Sequence, residues 1–113
     1  MKKIVYICSP FSGFVEGNVT MAKEYCAIAV TEGVVPYAPH LLFPQFLKDD
    51  VPEDRMLALE MGLEMLRVVD ELWVCGDVIT EGMRGEIEEA RRIGKTVRHI
   101  IADKNLDLME VEM

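Results

Sequence analysis

The sequence predicts an α/β fold, namely a flavodoxin-like or Rossmann-like three-layer sandwich built on a parallel sheet. Short apolar runs rich in strand-forming residues alternate along the chain with longer helical patterns. The runs KIVYIC and ELWVC are almost continuously apolar, which is typical of strands buried on both faces of a sheet. This alternation implies right-handed crossovers between parallel strands, with helices packed on both faces.

Four strands and three helices are expected, in the order βαβαβαβ. The strands are predicted at residues 3–8, 34–38, 71–75 and 96–101, with the spatial order 2-1-3-4. The helices are predicted at residues 18–32, 52–69 and 83–93. Asn18 is the expected N-cap of the first helix, Pro52 starts the second, and Gly33 and Gly94 end the first and third.

Length and net charge limit the number of domains and the kinds of binding partner. The 113 residues are expected to form a single domain over residues 1–113. The formal net charge of −8 argues against a nucleic-acid polymer as partner, because the basic residues do not cluster. No stretch has the length of a membrane span or of a secretory signal. We therefore expect a cytoplasmic protein without a membrane partner.

The three cysteines show no metal-type CxxC spacing. We interpret them as reduced thiols in or near the core, and we expect no metal and no cofactor. The irregular segment 39–51 is unusually apolar for a loop. A lid, a pocket wall or a subunit contact would explain it, and the last of these would make the protein a homo-oligomer.

Ligands of open parallel sheets bind beyond the carboxyl ends of the strands. Three segments leave those ends, at residues 9–17, 39–50 and 76–85. The first offers the hydroxyls of Ser9 and Ser12 and a glycine, Gly13, shortly before a helix. Backbone amides at such a helix start can hold an anion, although a plain turn explains the segment about as well.

Glu86 is the strongest catalytic candidate. It follows Gly82 and shares a helical stripe with Ala90, so it should point inward from the first turn of its helix, where the macrodipole would keep it ionised. An ionised carboxylate in an apolar pocket can act as a nucleophile or a base. The alternative is that Glu86 caps its own helix or pairs with Arg84 or Arg55.

Three further side chains are weighed on position alone. Tyr6 lies inside the first strand, so its ring should be buried while its hydroxyl needs a partner. His40 follows a strand end and could bind substrate or serve as a hydrogen-bonding wall residue. Asp70 precedes the third strand and could bind substrate or simply belong to a turn.

Three segments together resemble the nucleoside 2-deoxyribosyltransferase superfamily. They are YICSPFSG, VVDELWVCGD and TEGMRGEIEEARRIGK, and their order extends over residues 3–101. Within the superfamily they are most similar to small uncharacterised bacterial and phage relatives and to the deoxyribonucleoside 5′-monophosphate N-glycosidase branch. The resemblance implies a flavodoxin-like fold and a catalytic glutamate at the start of the last helix.

By resemblance this glutamate is Glu86. In the family it attacks the sugar C1′, displaces the base, and forms an ester that water or a second base resolves. The resemblance therefore implies cleavage or exchange of the N-glycosidic bond of a (deoxy)nucleoside or its 5′-monophosphate. The other matching positions are Tyr6 in the first strand, Thr80 as the phosphate-side hydroxyl, Gly82 in the same turn, and Ser9, Ser12 and Gly13 in the nucleotide-contacting loop.

The chain departs from the family pattern in the helix before the third strand. The family has a second catalytic aspartate there, whereas this chain offers Glu60 and Glu64, neither of which is a clean match. Gly85 replaces the bulky residue that the glycosidase branch has before its glutamate. The alternative function is a non-catalytic nucleotide-binding or sensor module on the same fold. Members of the family often build sites across subunits, which also implies a homo-oligomer.

Overall fold

A five-stranded sheet organises the computed structural model, which describes residues 1–103, 105 and 107–112. The strands are β1 (Ile4–Cys8), β2 (Val35–Tyr37), β3 (Glu71–Cys75), β4 (Thr96–Ala102) and β5 (Leu108–Val111). They lie in the order β2-β1-β3-β4-β5, and β5 alone runs antiparallel to its neighbour. The predicted α/β class and the order 2-1-3-4 are confirmed, and β5 is an unpredicted addition at the edge.

Helices cover both faces of the sheet, as the three-layer prediction requires. They are α1 (Val15–Thr31), α2 (Pro39–Leu42), α3 (Pro52–Leu66) and α4 (Glu81–Arg92). Alternate strand residues point to opposite faces. One face packs on α3 and α4 through Tyr6, Cys8, Leu72 and Val74. The other packs on α1 through Val5, Ile7, Trp73 and Cys75. Burial on both faces explains why β1 and β3 are apolar except for Glu71 at the start of β3.

Two helix starts differ from the prediction. Helix α1 begins at Val15, and Asn18 is not its N-cap. The Asn18 amide instead donates to the carbonyls of Phe11 and Ser12, at 3.0 and 3.1 Å, and thereby ties the loop after β1 to the helix. Helix α4 begins at Glu81, two residues earlier than predicted, because the Thr80 hydroxyl accepts a hydrogen bond from the Met83 amide.

The segment predicted to be irregular, residues 39–51, is partly helical. Helix α2 is followed by a 3-10 turn, Phe43–Gln45. The Phe43 ring is buried and packs edge-on against Tyr37 and Phe46, at centroid distances of 6.4 and 6.0 Å. The segment therefore forms an ordered wall beside the sheet. None of the helices in the described part of the chain has the length and apolar character needed to cross a membrane.

Candidate active site

A cleft of about 510 Å³ opens beyond the carboxyl ends of the parallel strands. Each of the three segments predicted to build a site contributes to its walls. The residues are Phe11 and Ser12 from the first segment, Pro39, His40, Phe43, Pro44, Leu47, Lys48 and Asp49 from the second, and Thr80, Glu81, Gly82 and Met83 from the third. Helix α3 supplies another wall with Asp54, Arg55, Ala58, Leu59 and Gly62. Tyr6 and Glu86 also line the cleft. It thus lies at the edge of the sheet that ligands of this architecture occupy.

Glu86 is buried, with only 7% of its surface exposed, although it lines the cleft. It lies on the face of α4 that also buries Met83, Ile87 and Ala90, so the predicted inward orientation is confirmed. Because α4 begins at Glu81, Glu86 lies in the second helical turn, and its predicted place in the first turn is wrong.

Two donors from β1 contact the two carboxylate oxygens of Glu86. The Tyr6 hydroxyl donates a hydrogen bond to Oε2, and the Cys8 thiol lies 3.8 Å from Oε1 and donates to it. Both donors reach the same carboxylate because residues two apart in a strand point to the same face. Among the described residues Glu86 forms no ion pair, so the alternative of a partner at Arg84 or Arg55 does not hold.

Burial raises the pKa of Glu86 to about 7, even though the hydrogen bonds from Tyr6 and Cys8 lower it. Desolvation therefore opposes the ionisation of this carboxylate, which the helix macrodipole was expected to favour. Burial and the neighbouring Glu86 both raise the pKa of Tyr6, so the phenol stays protonated as a donor. A buried carboxylate that is partly ionised at neutral pH suits covalent or acid–base chemistry.

Gly62 lines the cleft and contacts the site, although its place there was not predicted from the sequence. A Cβ atom at Gly62 would lie only 3.0 Å from the Tyr6 hydroxyl oxygen. The absence of a side chain in α3 therefore lets the phenol reach Glu86. A glycine in the interior of a helix costs about 1 kcal/mol relative to alanine. Its presence in a predicted helix could therefore have indicated that a neighbouring group needs the space.

Four of the other predicted binding residues line the cleft, namely Ser12, His40, Thr80 and Gly82. The His40 ring packs on Phe11 at a centroid distance of 5.3 Å. Burial lowers the pKa of His40, and its buried Nδ1 has no hydrogen-bond partner in the described part of the chain. Phe11 and His40 thus form an aromatic wall of the cleft.

The remaining predicted binding residues lie outside the cleft walls. Ser9 is buried, and its hydroxyl lacks a partner among residues 1–103, 105 and 107–112. Gly13 has a φ of 95° and makes the turn into α1. Asp70 lies at the amino-terminal ends of the strands, away from the cleft, where its carboxylate accepts a hydrogen bond from the Ile4 amide at 2.8 Å. The turn interpretation of Asp70 therefore fits, and a binding role in this cleft does not.

The second carboxylate sought in α3 is not supplied by either predicted position. Glu60 and Glu64 are both exposed and lie outside the cleft walls. Asp54 does line the cleft, where it accepts a hydrogen bond from the Lys48 amide at 2.9 Å. No three His, Cys, Asp or Glu side chains of the described residues come together in a way that could hold a metal ion.

Comparison with known proteins gives a family and a fold. A family model described as a domain of unknown function, DUF7768, matches residues 3–100. A comparison with curated proteins finds no match.

Two solved structures share the fold. A 2-deoxyribosyltransferase from the psychrotolerant bacterium Bacillus psychrosaccharolyticus has 19% identity and a TM-score of 0.68, with 89% of this chain and 74% of that chain covered. A 2-deoxyribosyltransferase from Leishmania mexicana has 16% identity and a TM-score of 0.62, with 95% and 78% covered. Both similarities confirm the fold that the resemblance implied.

Proposed function

The chain belongs to the DUF7768 family, and from its cleft we propose that it cleaves or exchanges the N-glycosidic bond of a (deoxy)nucleoside or its 5′-monophosphate, with Glu86 as nucleophile. The observation that carries this proposal is a buried carboxylate at the cleft that a buried phenol holds by a hydrogen bond. The neighbour from Bacillus psychrosaccharolyticus, described as a biocatalyst for the synthesis of nucleosides, supports the same class of reaction.

The reaction needs two displacements at C1′. In the first, a lone pair of Glu86 bonds to C1′ while the electron pair of the C1′–N bond leaves with the base, which takes a proton from water. Positive charge develops at C1′ in the transition state, and an adjacent carboxylate stabilises it. In the second, water or another base attacks C1′ and loses a proton to the hydroxide left by the first step, and the electron pair of the ester C1′–O bond returns to Glu86. Water gives hydrolysis, and a base gives exchange.

Tyr6 serves to orient the nucleophile in this mechanism. Its hydroxyl occupies Oε2 of Glu86, so the carboxylate cannot rotate freely. The raised pKa of Tyr6 keeps the proton on the phenol, and the hydrogen bond can therefore persist when Oε2 becomes the carbonyl oxygen of the ester. A fixed nucleophile lowers the entropy that is lost on reaching the transition state.

The two ends of a nucleoside fit different walls of the cleft. Phe11 and the neutral form of His40 offer aromatic surface to a base. Ser12 and Thr80 place hydroxyls near the start of α4, where the backbone around Gly82 favours a sugar oxygen or a phosphate.

A homo-oligomer and a cytoplasmic location belong to the same proposal. Leu42, Phe46 and Leu59 are large apolar side chains on the wall segments of the cleft, and they are 43, 61 and 51% exposed. Contact with a second copy would cover them, and sedimentation velocity measures the resulting mass.

The three cysteines are free thiols, which suits a reducing compartment.

Base release tests the function directly. Wild type, Glu86→Gln and the control Glu88→Gln, an exposed residue of the same helix, are incubated with deoxynucleosides and their 5′-monophosphates, and free base is measured by chromatography. We expect release by wild type and the control, and a loss of at least about 10³-fold in Glu86→Gln. No release by wild type, with or without an acceptor base, would contradict the proposal. Thermal shifts with the same compounds would then indicate a sensor module.

A further inference from the structure

The thiol of Cys8 is a buried group beside Glu86 that the mechanism above does not use. Cys8 follows Tyr6 by two residues on β1, and its side chain is buried on the same face of the sheet. Its Sγ lies 3.8 Å from Glu86 Oε1 and 3.9 Å from the Met83 carbonyl oxygen. One thiol proton therefore has two acceptors, both on α4.

The two oxygens of Glu86 are held unequally. The hydroxyl of Tyr6 is a strong donor to Oε2, whereas a thiol is a weak donor and lies at a longer distance from Oε1. In an ester the carbonyl oxygen accepts hydrogen bonds better than the bridging oxygen does. The strongly held Oε2 is therefore suited to become the carbonyl oxygen, and the weakly held Oε1 is suited to bond to C1′.

We propose that Cys8 is a positioning residue whose thiol donates to Glu86 Oε1 in the free enzyme, so that β1 holds both carboxylate oxygens, and turns to the Met83 carbonyl when Oε1 bonds to C1′. This inference rests on the proposed function for the identity of the nucleophile. The thiol keeps its proton throughout, and the only bonds that change are the C1′–N and C1′–Oε1 bonds described above. Burial raises the pKa of Cys8, which keeps this donor protonated.

The ionisation of Glu86 gives a measurement that does not depend on activity. The carboxyl carbon of Glu86, assigned by comparison with Glu86→Gln, is followed by NMR against pH in wild type, Cys8→Ala and Cys8→Ser. Cys75→Ala is the matched control, because Cys75 is also a buried strand thiol but packs on the opposite face of the sheet.

Loss of the thiol donor should raise the midpoint of Glu86 in Cys8→Ala by about half a unit to one unit, as expected for one weak hydrogen bond to a charged group. Cys8→Ser retains a donor and should titrate below Cys8→Ala, and Cys75→Ala should match wild type. A midpoint in Cys8→Ala equal to that of wild type would overturn the proposal. Equal shifts in Cys8→Ala and Cys8→Ser would also overturn it, because they would indicate packing rather than donation.

The S–H stretching bands of the wild-type protein provide a second readout, which needs no folded Cys8 variant. We expect one band to change position as Glu86 ionises, to be fixed in Glu86→Gln, and to remain in Cys75→Ala. Bands that do not respond to Glu86 would overturn the proposal. Because neither readout uses substrate, a failure of base release would refute the proposed function without deciding the role of Cys8.

Discussion

Replacing Glu86 by glutamine is expected to make protein stability less dependent on pH, because the folded state of the wild type pays for ionising a buried carboxylate. The pKa of Glu86 is raised by burial from 4.5 to about 7. Between these values the folded protein binds more protons at this site than the unfolded chain does. The free energy of unfolding of wild type should therefore fall as pH rises through this window, and it should fall no further above the folded pKa.

The magnitude follows from the shift of about 2.5 units. At 1.36 kcal/mol per unit, the ionisation of Glu86 lowers the free energy of unfolding by roughly 3 kcal/mol. This lowering of the free energy of unfolding is complete above about pH 7 and absent below about pH 4.5. Glutamine keeps an oxygen that can accept from Tyr6, and it carries no charge. The stability of Glu86→Gln relative to wild type should therefore increase by about this amount across the window.

Urea unfolding at a series of pH values measures the difference, with Glu88→Gln as an exposed control on the same helix. The control should follow wild type at every pH. A stability difference between Glu86→Gln and wild type that does not change with pH would refute the reasoning, because it would mean that Glu86 ionises as easily in the fold as in the unfolded chain.

Substitutions at Tyr6, Gly62 and Thr80 test the contacts around the cleft. Tyr6→Phe removes the phenol donor, so kcat should fall about 10- to 100-fold and the acidic limb of the pH–rate profile should move to higher pH; an unchanged profile would contradict this. Gly62→Ala places a Cβ 3.0 Å from the Tyr6 oxygen, so activity should fall about 10-fold without loss of helicity. The control Gly85→Ala has open space around it, so it should keep activity and raise the free energy of unfolding by about 0.5–1 kcal/mol. Equal activities of the two variants would refute the packing argument. Thr80→Ala should lower the free energy of unfolding by about 1 kcal/mol, because the N-cap is lost. Thr80→Asn keeps the cap and should raise only KM. A KM of Thr80→Asn equal to that of wild type would mean that Thr80 does not contact substrate.

The fold was predictable because β1 and β3 are buried on both faces. Continuous apolar runs fixed the positions of β1 and β3, and the alternation with helices implied parallel pairing. The edge strand β5 was missed because it is short and half exposed. Shortly before β5, the Asp103 carboxylate accepts hydrogen bonds from the amides of Asn105 and Asp107 at 2.8 and 3.0 Å.

The site was predictable where the period of a helix or strand determines the direction in which a side chain points. The helical stripe placed Glu86 inward, and the position of Tyr6 in a buried strand required a partner for its hydroxyl. The raised pKa of Glu86 was not predictable, because desolvation depends on the surroundings from several elements at once. The roles of Gly62 and Cys8 depend on distances between α3, β1 and α4, and sequence spacing does not contain these distances.

Formation of an ester at Glu86 tests the central claim most directly. Wild type is incubated with a nucleoside carrying a 2′-fluorine, which withdraws electrons and slows the second displacement, and is then quenched in acid and digested for mass spectrometry. A mass increase of one sugar, confined to the peptide that contains Glu86 and absent from Glu86→Gln, is the predicted result. A sugar adduct on another residue, or base release without any adduct, would contradict the assignment of Glu86 as the nucleophile.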